Sequence, residues 1–104
     1  MDKKHLIFVP KNEKGIHDYE MGIDNNDDYF VFDLPEEEFD LLWKNKVFDI
    51  LNEKYDLMID EAEEETVTAR QLKDTYDYIT PKKGVWMDAV NRAIEFGTCA
   101  YLHF

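Results

Sequence analysis

The feature that most constrains this chain is residues 33–65, DLPEEEFDLLWKNKVFDILNEKYDLMIDEAEEE, where a helical period and a dense set of carboxylates are superimposed. Pro35 suits the first turn of a helix, because its missing N–H breaks no bond there and its φ is already helical. Glu36, Glu37 and Glu38 follow, at the end of the helix dipole that favours negative charge. Phe39, Leu42 and Trp43 recur at i, i+3 and i+4, the spacing of a buried face. At Lys44-Asn45-Lys46 the phase is disturbed, which predicts a kink or a short break and leaves open whether this is one helix or two. From Phe48 the period resumes, with Phe48, Leu51, Tyr55, Met58 and Ala62 on one side, so that helix is expected to run on to Glu65.

On the opposite side of the same wheel lie Asp49, Glu53, Asp56, Asp60, Glu63 and Glu64. These six carboxylates are the candidate partner-binding residues. On most helices such a stripe is simply a solvated face. Here Lys54 is its only nearby cation, and like charges at i, i+4 cost helix stability, so something other than stability is expected to keep them. Ile50 and Leu57 sit at the edge of the stripe, either as a wide core or as apolar contacts beside an acidic binding surface.

The charge of the whole chain belongs to this half. Residues 20–65 hold 17 acids against three lysines, a net of −14, while the remainder holds seven acids and nine bases, a net of +2. A field of this sign repels nucleic acid and anionic membrane and steers a cationic protein inward. With 44% hydrophobic and 14% aromatic residues the chain reads as globular, not as an acidic tail, and residues 1–104 are expected to form a single domain. A lone Cys99 fits a reducing compartment, and neither a secretory leader nor a membrane-length apolar run is visible; the expected location is the cytoplasm.

Around the acidic segment the pattern is mixed. Residues 5–9 read as a buried strand stopped by Pro10, and residues 29–34 as an alternating strand. Residues 11–28 carry turn chemistry, with part of the stretch around Ile16, Tyr19, Met21 and Ile23 a weak strand. Thr68 can cap a helix whose inner face is Leu72, Tyr76 and Ile79. A last helix spans residues 85–96 with Gly97 placed to end it, and residues 98–104 close the chain as a strand pairing with the first or the second. The order β-β-α-α-α-β predicts an α+β fold: a small, mostly antiparallel sheet with three to four helices packed on one face.

Catalytic and cofactor chemistry is sparse. Cys99 and His103 share a strand face but lie about 13 Å apart at ~3.3 Å per residue, too far for a nucleophile–base pair. Asp24-Asn25-Asn26-Asp27-Asp28 begins like a calcium loop, yet its sixth position is Tyr29 and its twelfth is Pro35, where Gly and Glu are needed. Three scattered histidines offer no metal spacing, and four glycines form no phosphate cradle. Neither an enzyme nor a cofactor is expected.

In its short α+β pattern, its acidic run Leu57-Met58-Ile59-Asp60-Glu61-Ala62-Glu63-Glu64-Glu65 and its terminal strand ending Tyr101-Leu102-His103-Phe104, the chain resembles the small acidic immunity proteins that bacteria encode beside polymorphic and contact-dependent toxins. The resemblance implies a non-catalytic inhibitor that binds a cognate basic toxin, often a nuclease. Two other readings share its physics. A row of carboxylates can imitate a nucleic-acid backbone and occupy the channel of a defence nuclease, although six charges over about 22 Å of helix are sparse beside duplex DNA. A third reading is an acidic adaptor subunit with no inhibitory role. Dimerisation through the carboxylates is disfavoured, so a monomer is expected; self-association would use a sheet edge or an aromatic patch such as Tyr78 and Trp86, which otherwise belong to the core.

Overall fold

The structure is a computed structural model, and it describes residues 5–22, 28–60, 64–79 and 82–104. Four antiparallel strands form one sheet in the order β2-β1-β4-β3, with β1 at His5–Pro10, β2 at Tyr29–Leu34, β3 at Glu64–Thr68 and β4 at Cys99–His103. The closing strand pairs with β1, Ile7 opposite Leu102, and also with β3, Val67 opposite Ala100. Side-chain alternation sends Ile7, Val9, Leu34, Val67, Ala100 and Leu102 to one face, where all are buried.

That face is covered by α2 (Glu36–Lys44), α3 (Val47–Tyr55), α4 (Ala69–Asp74) and α5 (Val85–Phe96). The fold is therefore α+β with an antiparallel sheet, as expected, although the order differs from β-β-α-α-α-β by a strand within the helical run and a helix between the first two strands. Phe39, Leu42, Phe48, Leu51, Leu72, Trp86 and Val90 fill the space between the layers. Trp86, only 1% exposed, is a core residue, whereas Tyr78 is 55% exposed. His5, buried at the start of β1, stacks on Phe39 at 3.8 Å between ring centroids and bonds Glu36 through Nε2 at 2.5 Å, tying the strand to α2.

The acidic segment is two helices. The break falls at Asn45-Lys46, where Lys46 takes a left-handed φ of 64° and α3 starts afresh. The expectation of helix to Glu65 is corrected: α3 ends at Tyr55, Asp56 adopts a left-handed φ of 55°, and the Leu57 N–H returns to the Asn52 carbonyl at 3.2 Å. This is a helix-ending bond pattern that normally recruits glycine. Beyond the turn Ile59 is buried and Met58 is not, reversing the inside assignment made from the period. Glu64–Thr68 is strand, not the end of a helix.

Residues 13–20 form a helix, α1, where turn and a weak strand were expected. Asn12 caps it, its side chain accepting from the Gly15 N–H at 3.0 Å. This helix lies on the opposite face of the sheet, where Tyr19 stacks on Tyr101 at 3.7 Å and meets Phe8 and Tyr29 edge-on. Thr68 caps α4 in a reciprocal box with Gln71, and Gly97 ends α5 with a left-handed φ of 64°. The stretch Asp24-Asn25-Asn26-Asp27 lies outside the described residues.

Candidate functional site

The carboxylates singled out from the sequence are displayed from three elements in place of one helix. Asp49 and Glu53 are exposed on α3, Asp56 at its C-terminus, Asp60 in the segment that follows and Glu64 at the start of β3. Glu63 lies outside the described residues. Among the described residues no ion pair engages Asp49, Glu53 or Asp56. Lys54, the one cation between them, lies toward the Tyr55 ring, its ammonium 5.7 Å from the centroid. On α2, Glu37 and Asp40 are exposed as well, while Glu36 is held by His5 and Glu38 is engaged at the start of α5.

The segment joining α3 to β3 is clamped. Asn52 donates from its side chain to the Ile59 carbonyl at 3.0 Å and accepts from the Ile59 N–H at 2.8 Å. Glu65 accepts from the Met58 N–H at 3.0 Å with one oxygen and from the Thr66 N–H at 2.8 Å with the other. Ile59 is thereby anchored in the core while Met58 stands outside, 71% exposed, between Asp56 and Asp60 in the chain. A large flexible thioether held out in water gains nothing for the fold; Met is the side chain that adapts best to a partner's surface. The sequence reading missed this residue by assigning it to the core.

A second cluster sits beneath α1 and ends at Glu64. His103 bonds the Tyr19 hydroxyl through Nε2 and faces Glu64 Oε1 through Nδ1 at 3.3 Å, a hydroxyl–imidazole–carboxylate chain across the sheet. Burial pushes the Tyr19 phenol up to about 12 and raises the Cys99 thiol. Both shifts favour the un-ionised, weakly nucleophilic forms. Cys99 and His103 share the strand face as expected from the sequence, with Tyr101 between them on β4 and His103 engaged by Tyr19. Nearby, Asp18 is buried on α1. Its carboxyl is held below the usual range by hydrogen bonding with Asp28 and His17 and by Lys14, against the opposing effect of burial.

Among the described residues no group of three or more His, Cys, Asp or Glu side chains is arranged to hold a metal ion, and no helix is long and apolar enough to cross a membrane. Comparison with protein-family models, curated proteins and solved structures finds no match to this chain.

Proposed function

We propose that this protein is an acidic, non-catalytic inhibitor of the immunity type, acting in the cytoplasm by binding a cognate basic toxin, such as a nuclease domain. The observation that carries the reading is Met58, held out by the Asn52 clamp with acids on either side of it. A basic surface with an apolar pocket is the complement of that arrangement. The charges would speed and orient encounter, and the buried thioether would slow dissociation. The interruption of the carboxylate row after Tyr55 weighs against imitation of a nucleic-acid backbone, which needs charges at regular intervals along one axis.

The test is capture from source-cell lysate on the immobilised protein at low salt, with release by a salt gradient, beside a triple variant Asp49→Lys, Glu53→Lys, Asp56→Lys. All three positions are exposed, so the variant should keep the fold, at a cost of ~1 kcal/mol for lysine in the left-handed backbone of Asp56. A basic toxin or nuclease domain retained by the parent, released late and lost by the variant, is the expected result. If both proteins hold only generic polycations that elute early, the acidic surface is merely solvated and the proposal fails.

A further inference from the structure

The two edges of the sheet are built differently. At β3 the strand carries Glu64 and Glu65, and its Thr66 and Thr68 N–H groups are taken by the side chains of Glu65 at 2.8 Å and Gln71 at 3.0 Å. Donors given to side chains offer little to an incoming strand, which is how sheets guard an edge. At β2, in contrast, six residues, Tyr29–Leu34, carry a single charge, Asp33. No described strand lies beyond them. Val31 is 50% exposed on one face; on the other an open groove of about 410 Å³ lies between Phe32 and the α5 residues Asp88, Asn91 and Arg92.

We infer that β2 pairs with β2 of a second copy of this chain, extending the sheet through a two-fold axis. An axis perpendicular to a sheet must pass between two identical residues, because residues directly opposite share a face. Centred on Val31, the pairing sets Val31 against Val31, Phe30 against Phe32 and Asp33 against Tyr29, so no like charges meet. The local charges are self-complementary. The Lys11 ammonium lies 4.9 Å from the centroid of Phe30 and Asp88 borders Phe32, so the axis brings Lys11 of one copy toward Asp88 of the other; Arg92, paired with Glu95 at 2.8 Å, lies between the two ends. Glu64 and Glu65 on β3 lie at the far edge of each sheet, three strand spacings or ~14 Å from β2. This pairing is independent of the inhibitor reading and leaves Met58 open.

Sedimentation of the purified protein over a wide concentration range tests it, read beside Val31→Lys, Val31→Cys and Thr66→Cys. A doubling of mass is expected for the parent and its loss in Val31→Lys, with circular dichroism unchanged in the variant. Opposed Cα atoms in an antiparallel pair are about 4.5–5.5 Å apart, within disulfide range, so Val31→Cys should cross-link on oxidation and Thr66→Cys should not. A parent that stays monomeric throughout, with β2 left for an extended segment of another protein, overturns the inference. So does a dimer that survives Val31→Lys, or equal cross-linking at both edges.

Discussion

The carboxylate of Glu38 on α2 closes the N-terminus of α5: its two oxygens accept the N–H groups of Val85 and Trp86, each at 3.1 Å. Gly84 makes room for it. A Cβ at Gly84 would stand 2.2 Å from Glu38 Oε1, and the backbone there has a φ of 106°, outside the range of ordinary L residues. One acidic residue of the Glu36-Glu37-Glu38 run is therefore a cap for a helix that starts 47 positions further on, satisfying donors that the helix itself cannot.

Glu38→Ala should cost about 1–2 kcal/mol in urea unfolding, the loss of a good cap. Gly84→Ala should cost more, since it combines the clash with backbone strain. The two effects should not add, because the clash disappears when the carboxylate is gone. An additive double-mutant cycle would mean that Glu38 and Gly84 do not meet as described.

Lys46 between α2 and α3 gives a prediction of opposite sign. Its left-handed φ of 64° strains a residue with a Cβ, by ~1 kcal/mol. Lys46→Gly should therefore hold or raise the unfolding midpoint, although glycine in a helix interior lowers it. A clear fall in the midpoint would argue for a continuous helix through this position.

The Asn52 clamp separates fold from binding. Asn52→Ala removes both hydrogen bonds to Ile59 and should destabilise the protein by about 1–2 kcal/mol. Met58→Ala removes an exposed side chain and should leave the unfolding midpoint within ~0.5 kcal/mol of the parent. Under the inhibitor reading, Met58→Ala should nevertheless weaken retention of the captured partner and raise its off-rate. Unaltered retention by Met58→Ala would remove the thioether from the interface.

Legibility from sequence followed the strength of the local signal. The last helix was readable because its apolar period and Gly97 agree, and the break at residues 44–46 because the phase slips there. Strand β3 was not, since only Val67 among its five residues is buried and a strand with one inward residue shows no alternation. The β-branched run Thr66-Val67-Thr68 was the one available cue, and the acidic period overrode it. Helix α1 was hidden by two glycines in a polar stretch, although Asn12 is a good cap and Ile16 and Tyr19 stand at helical spacing. Exposure of Asp49, Glu53, Asp56, Asp60 and Glu64 was legible residue by residue. Their arrangement was not, because a left-handed Asp56 leaves no mark on composition or period.

The cluster under α1 makes stability depend on alkaline pH. The Tyr19 phenol is raised from 10.0 to about 12, chiefly by burial and then by the negative charge of Glu64. Folding thus favours its protonated form. The corresponding stabilisation is whole below pH 10 and is lost as the pH rises toward 12. Tyr101, also raised by burial, adds to the same slope. Unfolding free energy should fall over that interval, with tyrosinate absorbance developing in step with loss of structure. Tyr19→Phe should flatten the slope without abolishing it, and at neutral pH it should cost ~1 kcal/mol for the lost bond to His103. An unchanged alkaline slope in Tyr19→Phe would mean that this phenol ionises freely in the folded protein, and that α1 is not held to the sheet through it.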